Sequence, residues 1–260
     1  MVGTYTEVTI GRGRFFEGDC FDVMRDLPDS SVDLIATDPP YRTISGGTGS
    51  TVAQQWSQSI LRNNDGKIFQ HNDVKIGAYM REFFRLLKPG SHCYVMINNL
   101  NLRELLNEAE AAGFGFHNML VWVKNNCTPN RWYMKNLEYT CFFYKKPAKR
   151  IVNASSKQTF FADNIRNKLH PTEKPVALFE HYIENSTNPD AIVLDPFAGS
   201  GAMPLAAQQT GRRWIAIEKD AAFATVAAQR IRDHVGVSDF DDLIGHNHGP
   251  ALDDFDALIG

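Results

Sequence analysis

The sequence has little cysteine and no long apolar run, and both absences restrict what the protein can be. The cysteines (Cys20, Cys93, Cys127 and Cys141) include no Cys-x-x-Cys pair, which argues against a zinc site or a disulfide framework. A reducing cytoplasm is the simplest setting for them. The sequence also lacks a basic-then-apolar signal pattern near Met1, and no apolar stretch is long enough to cross a bilayer. We therefore expect a cytoplasmic protein without a metal.

Charge is distributed unevenly along the chain. The chain has a net charge of −3. From Asp233 onward it contains seven aspartates and no lysine or arginine, so residues 1–232 carry a net charge of +4. Within residues 124–174, eleven lysines and arginines and three acidic residues are interleaved with aromatic side chains. Cations contact phosphates and rings stack on bases, so this composition favours a nucleic-acid surface. The alternative, which we favour for Phe142 and Phe143, is that the aromatic residues belong to core strands.

Apolar periodicity predicts strands alternating with helices. The expected strands are residues 14–17, 32–37, 92–98, 118–123, 138–144, 191–194 and 214–217. The expected helices are residues 74–87, which end at the breaker 88–90, and 101–112, 175–185, 203–209 and 221–233. Repeated β-α-β units of this kind predict an α/β fold with a mostly parallel sheet and helices on both faces. Residues 42–73 and 145–170 have little periodicity and are expected to be loops.

A glycine-rich loop follows the expected strand at residues 191–194. Its sequence is Asp195-Pro196-Phe197-Ala198-Gly199-Ser200-Gly201. Glycines let the backbone approach a ligand that a Cβ atom would block. A dinucleotide fingerprint would need a third glycine where Pro204 stands, and no Gly-Lys-Ser/Thr follows for a P-loop. The next strand ends at Glu218-Lys219, where an acid is placed to accept hydrogen bonds from ribose hydroxyls.

A second loop, Asp38-Pro39-Pro40-Tyr41, follows the expected strand at residues 32–37. It is acidic, stiffened by two prolines and aromatic, as a site for a planar substrate requires. Ligands of open α/β sheets bind at the carboxyl ends of strands, so the two loops together suggest group transfer to a base. A strand-terminating turn is the alternative interpretation of this loop taken alone.

These two loops, with the segment His170-Pro171-Thr172-Glu173-Lys174-Pro175 between them, resemble the motifs of the β-group S-adenosylmethionine-dependent DNA amino-methyltransferases. The resemblance covers residues 16–233. It implies a circularly permuted class I methyltransferase fold, Rossmann-like, with about seven strands. It also implies S-adenosyl-L-methionine as cofactor, double-stranded DNA as substrate and a homodimer, in a bacterial or phage-infected cell, often within restriction-modification.

The resemblance also implies roles for individual residues. The Asp38 carboxylate and the Pro39 carbonyl would accept the two N–H bonds of a base amino group, and Tyr41 would stack on the base. Residues implied at the cofactor are Asp19, Cys20, Thr172, Lys174, Pro175, the loop Asp195–Gly201, Glu218 and Lys219. In this group an aspartate in the first motif position goes more often with adenine N6 than with cytosine N4, so we expect N6 transfer and keep N4 as the alternative. A non-catalytic nucleic-acid-binding subunit and an RNA substrate stay open as well.

Access to a base amino group requires flipping the base out of the duplex. We expect residues 42–73 and 145–169 to contact DNA and to read a short or loosely defined site. The cations expected at phosphates are Arg42, Lys124, Arg131, Lys135 and Lys168, whereas Trp122 is expected in the core. Residues 1–235 would form the catalytic domain. The acidic segment 236–260, with its near-repeat at residues 240–245 and 255–260, would be a flexible tail that either binds a partner protein or only solubilises the chain.

Overall fold

The computed structural model describes residues 5–41, 74–128, 133–153, 155–163 and 173–236, and within them one sheet of nine strands and six helices. The strands are β1 (Thr6–Ile10), β2 (Gly13–Glu17), β3 (Val32–Thr37), β4 (Leu87–Ile97), β5 (Gly115–Thr128), β6 (Lys135–Tyr144), β7 (Thr159–Phe161), β8 (Ile192–Asp195) and β9 (Arg213–Glu218). The helices are α1 (Cys20–Asp26), α2 (Ile76–Leu86), α3 (Leu102–Ala112), α4 (Val176–Ser186), α5 (Ala202–Gln209) and α6 (Ala221–Val235).

The sheet has the strand order β1-β2-β9-β8-β3-β4-β6-β5-β7. Its centre, from β2 to β4, is entirely parallel, and β1 and β6 run antiparallel to their neighbours. From β8 the chain passes through α5 to β9 on one side, whereas from β3 it passes on to β4 on the other. The direction of winding therefore reverses between β8 and β3, which is the point where open α/β sheets bind ligands.

Helices cover both faces of the sheet. Helices α1, α2 and α3 pack on one face through residues such as Met80 and Leu105, and α4, α5 and α6 pack on the other through residues such as Leu178. In the central strand β3, Leu34 belongs to the second layer and Ile35 to the first, and both side chains are fully buried. Burial on both faces explains why this strand reads as a continuous apolar run.

The predicted fold is confirmed, and all seven expected strands are present. The sheet is larger than expected by two edge strands. Strand β1 forms a hairpin with β2, and the three-residue β7 lies beside β5 inside the segment 145–170 that was expected to be a loop. Helix α1 was not expected either. The predicted helix at 74–87 ends at Leu86. The breaker 88–90 lies near the start of β4.

Two regions that carried predictions, residues 42–73 and 237–260, lie outside the described residues. Within the described part of the chain, no helix has both the length and the apolar character needed to span a bilayer.

Candidate active site

The two loops identified in the sequence follow neighbouring strands. Ile35 pairs with Leu194, so β3 and β8 run parallel and end side by side. At these ends Thr37 Oγ1 donates a buried 2.6 Å hydrogen bond to Asp195 Oδ1, which also accepts the backbone N–H of Phe197 at 3.1 Å. Burial raises the pKa of Asp195 to about 7, although both hydrogen bonds oppose this rise. A side-chain contact thus ties the end of β3 to the start of the glycine-rich loop.

The glycine-rich loop turns from β8 into α5 through two left-handed glycines. Gly199 has φ of 52° and Gly201 has φ of 78°, a region in which other residues are strained. The backbone N–H of Ala198 donates to Ile217 O at 2.9 Å, and that of Gly199 donates to Glu218 Oε2 at 2.8 Å. The loop is therefore held against the end of β9, with the predicted acid directly beside it.

The ends of β2 and β9 meet next to this loop. The N–H of Gly18 donates to Glu218 O at 2.9 Å, and Lys219 Nζ lies 3.0 Å from Asp19 Oδ2. Cys20 is the first residue of α1, and burial raises the pKa of its thiol to about 12, so the thiol stays neutral. Burial also raises the pKa of Glu218. The structure brings together the predicted cofactor residues Asp19, Cys20, Glu218 and Lys219.

Asp38, the first residue after β3, belongs to a partly buried chain of charges. Lys174 Nζ forms an ion pair with Asp38 Oδ2 and lies 3.6 Å from Glu138 Oε2, while Lys124 pairs with the other oxygen of Glu138. Burial alone would lower the pKa of Lys174, but the two carboxylates outweigh burial and raise it. Burial raises the pKa of Asp38, and the charged ammonium of Lys174 opposes this rise and favours the ionised carboxylate.

The second carboxylate oxygen, Asp38 Oδ1, is buried and accepts no hydrogen bond from any residue that the structure describes. A buried acceptor without a donor costs free energy, so such an atom marks a place where a ligand can donate. Asp38 lines a cavity with residues of the glycine-rich loop and of the segment before α4. These lining residues include Lys174, Asp195, Phe197, Gly199 and Ser200. Residues of both loops therefore line the same cavity.

The rest of the acidic loop is packed against the protein. Pro39 is buried, and Pro40 and Tyr41 are half-buried. Tyr41 contacts the core layer under α1, α2 and α3. Burial and the neighbouring Asp38 raise the pKa of Tyr41, so its phenol stays neutral and its ring can serve as an apolar surface.

Other predicted residues lie at different distances from this cavity. Pro175 is the N-cap residue of α4, directly after Lys174. Lys124 is four-fifths buried and paired with Glu138, whereas Lys135 is exposed at the start of β6, and the assignment of both to DNA stays a prediction. Trp122 is buried, as predicted, and donates to Ala162 O at 2.9 Å.

Predicted residues outside the described ranges are Arg42, Arg131, Lys168 and Thr172. The described residues contain no group of His, Cys, Asp or Glu side chains that could hold a metal ion.

Sequence reasoning missed several charged residues around the cavity. Glu138 was noticed only as part of a segment and not as a partner of Lys174. Arg230 was not noticed at all, although its NH1 lies 2.8 Å from Glu173 Oε1. These pairs join residues far apart in the chain, and no local spacing identifies which charge meets which.

The comparison with known proteins agrees with this geometry. A family model for N6/N4 methyltransferases, described as DNA methylase, matches residues 32–229. The chain belongs to this DNA methylase family. The matched region contains both loops and β3 to most of α6, so the resemblance seen in the motifs is confirmed.

Individual members of the DNA methylase family are similar over most of their length. YubD of Escherichia coli (strain K12), whose name calls it a methylase, is 30% identical over 227 residues, which are 84% of this chain and 89% of that protein. The type II methyltransferase M.HinfI of Haemophilus influenzae is 27% identical over 250 residues, 84% of this chain and 67% of that protein. The solved structure of the M1.HpyAVI–SAM complex is 26% identical, with a TM-score of 0.64 over 84% of this chain and 99% of that one.

A further solved structure, the cytosine-N4-specific PvuII DNA methyltransferase, has a TM-score of 0.64 at 18% identity, over 86% of this chain and 92% of that one. At this identity the likeness shows the fold alone.

The residues of this methylase fit S-adenosylmethionine. The glycine-rich loop has backbone in reach of the cavity, Glu218 stands at the end of β9 for ribose hydroxyls, and Asp19 and Lys219 lie beside it. Asp38, whose Oδ1 has no donor among the described residues, also lines this cavity. The arrangement thus combines a loop that fits a nucleoside with a carboxylate that can accept a hydrogen bond.

Proposed function

We propose that this protein transfers a methyl group from S-adenosylmethionine to the N6 amino group of adenine in double-stranded DNA. Membership of the DNA methylase family supports the reaction class. The observation that supports an amino group as the acceptor is Asp38 Oδ1, a buried carboxylate oxygen with no donor among the described residues. Asp38 lines one cavity with the glycine-rich loop, which we call the cofactor loop. The aspartate in the first motif position supports adenine N6 over cytosine N4.

The residues suit methylation of an amino nitrogen. The lone pair of such a nitrogen is delocalised into the base, which makes it a poor nucleophile. Asp38 Oδ1 and the Pro39 carbonyl would each accept one N–H, which draws the nitrogen toward tetrahedral geometry and frees its lone pair. S-adenosylmethionine, when bound, supplies an electrophilic methyl group. A methylated amino group of this kind is a strong acid, so Asp38 orients and stabilises it without having to act as a strong base.

Lys174 would fix the direction of Asp38. Its ammonium pairs with Oδ2, so Oδ1 is the oxygen that faces the substrate. The carboxylate is thus oriented before the base arrives, and no reorganisation is needed at the moment of transfer.

The base would reach this cavity by leaving the duplex. The neutral ring of Tyr41 supports stacking on the flipped base. The positive excess on residues 124–174, which includes the exposed Lys135, supports contact with the DNA backbone. We assign the catalytic domain to residues 1–235.

The test is transfer of labelled methyl to unmethylated duplex DNA by the purified chain, followed by mass spectrometry of the digested nucleosides. The expected product is N6-methyladenine. If the product is N4-methylcytosine, the acceptor is cytosine and the alternative is correct. If added RNA competes away methyl transfer to DNA, the substrate is RNA. No transfer to any nucleic acid would favour a non-catalytic binding subunit.

A further inference from the structure

An arginine on α6 joins the two segments that line the cavity. Arg230 NH1 lies 2.8 Å from Glu173 Oε1, in the segment before α4. The same NH1 donates to the backbone carbonyl of Ser200 at 3.1 Å, in the glycine-rich loop. Ser200 and Glu173 both line the cavity. One guanidinium therefore connects a helix, the cofactor loop and the segment that carries Lys174.

This contact is enclosed by the protein. The Glu173 side chain is 2% exposed and the Arg230 side chain is 18% exposed. One turn before Arg230, Ala227 packs so closely on the loop that a Cβ atom at Gly201 would lie 3.1 Å from Ala227 Cβ. Residues three apart share a helix face, so α6 presents both contacts to the same loop.

We propose that Arg230 is a positioning residue for S-adenosylmethionine. Its hydrogen bond to the Ser200 carbonyl holds the peptide between two left-handed glycines, Gly199 and Gly201. Glycines allow many other backbone conformations, so the loop needs an external contact to stay in the one that binds. An apparent dissociation constant rises in inverse proportion to the populated fraction of the binding conformation.

The same residue connects the cofactor loop to Asp38. Glu173 precedes Lys174 in the chain, and Lys174 pairs with Asp38. Through Glu173, Arg230 fixes the backbone from which Lys174 reaches the carboxylate. A change at Arg230 is therefore expected to weaken cofactor binding and also to lower the methyl-transfer rate at saturating cofactor.

A purely stabilising role is a weaker explanation for this ion pair. Removing two charges from water is costly, and replacing a buried pair by apolar residues is often neutral or stabilising. Arg230 is better explained by the two acceptors that it orients, the Glu173 carboxylate and the Ser200 carbonyl. An apolar side chain could not hold that main-chain carbonyl.

The experiment measures binding of S-adenosylmethionine and of its demethylated product, S-adenosylhomocysteine, by calorimetry in the absence of DNA. We expect Arg230→Met to raise both dissociation constants by about tenfold to a hundredfold, the loss expected for one hydrogen bond to a charged group. Arg230→Lys keeps the charge but has no planar fork, so it should restore part of the affinity. Arg25→Gln, which removes an exposed arginine paired with Asp22, is the matched control and should bind both compounds as the unaltered protein does.

A variant that removes the Arg230 ion pair of the buried Glu173 can fail to fold, so the neutral double variant Glu173→Gln with Arg230→Met is measured as well. Unaltered cofactor affinity in a folded Arg230→Met or double variant would overturn the proposal. Unfolding of all the Arg230 variants would assign a structural role and would also overturn it. The inference rests on the cofactor assignment of the proposed function. If the unaltered chain binds neither compound, that assignment fails. If it binds them and the Arg230 variants bind equally well, only the inference fails.

Discussion

Asp38 is held at one carboxylate oxygen and has no donor among the described residues at the other, and this asymmetry matters more than its acidity. Lys174 takes Oδ2 and is shared with Glu138, so its positive charge is divided between two carboxylates. Asp38 consequently keeps acceptor strength at Oδ1 while it stays ionised. A carboxylate fully neutralised by one lysine would hold an amino group less firmly.

Asp195 links the site to the pH dependence of stability. Burial raises its pKa from an unfolded value near 3.8 to about 7. Between these pH values the folded state holds a proton that the unfolded state has lost, so this residue's contribution to stability falls as pH rises from about 4 to about 7. The fall amounts to at most about 4 kcal/mol, since one pKa unit corresponds to about 1.4 kcal/mol.

We predict that Asp195→Asn, whose side chain cannot titrate, removes this pH-dependent contribution to the free energy of unfolding. The free energy of unfolding of the unaltered protein should decrease relative to that of the variant between pH 4.5 and pH 7.5, as measured by urea titration. A difference between the two proteins that is constant over this pH interval would show that Asp195 has an ordinary pKa.

At the residue scale, the sequence identified the candidate groups of the site but not their partners. Asp38, Glu218 and the glycine-rich loop could be found because each stands at the end of a strand and belongs to a local pattern. The pairing of Lys124 with Glu138, or of Arg230 with Glu173, depends on how distant segments pack. A charged residue has many possible partners in a sequence, and only the fold selects one.

At the scale of elements, the glycine-rich loop packs on α6, and Gly201 tests whether cofactor binding depends on this contact. Gly201 and Gly211 have φ of 78° and 74°, but a Cβ atom at Gly201 would meet Ala227 at 3.1 Å, whereas one at Gly211 would meet nothing within 4 Å. Alanine at either position pays the left-handed penalty of about 1–2 kcal/mol. We predict that Gly201→Ala loses more unfolding free energy than Gly211→Ala, and that only Gly201→Ala loses cofactor affinity.

Urea titration and cofactor calorimetry on the two alanine variants measure this difference. Equal losses of stability, with unaltered cofactor binding in both, would mean that the contact between the loop and α6 is unimportant.

The elements that sequence analysis missed are short or at an edge. Helix α1 has only seven residues, and Asp19 caps it by accepting the N–H of Phe21 at 2.9 Å. Strand β7 has three residues in a basic segment and exists because β5 offers a free edge. The central strands were predictable because burial on both faces demands continuous apolar runs. Edge strands face no such demand.

The whole molecule places two loops that are far apart in sequence at one switch point of the sheet. The order of the loops along the chain, acidic loop first, does not change this geometry, because β3 and β8 are neighbours in the sheet whichever comes first. This explains why a permuted chain can keep the same cavity.

Charge at the scale of the whole chain leads to a prediction about residues 238–260. This segment contains six aspartates and no lysine or arginine, and the cavity-lining residues that the structure describes all precede it. We predict that its deletion leaves the methyl-transfer rate unchanged and tightens DNA binding at low salt, because like charges no longer repel the phosphates. Fluorescence anisotropy with duplex DNA at two salt concentrations measures the effect.

Changing the six aspartates to asparagine in the full-length chain is the matched control for this deletion, and it should have the same effect. Loss of methyl transfer on deletion would place the segment in the catalytic unit and contradict the domain assignment.

The most direct test of the central claim is the single-turnover rate of methyl transfer by Asp38→Ala on saturating DNA and S-adenosylmethionine. Because the variant lacks the acceptor of the amino N–H, we predict a loss of about 10²- to 10³-fold in rate. S-adenosylhomocysteine affinity close to that of the unaltered protein would show that the fold and the cofactor site are intact. A variant that is folded, binds cofactor and transfers methyl at the unaltered rate would contradict the role of this carboxylate.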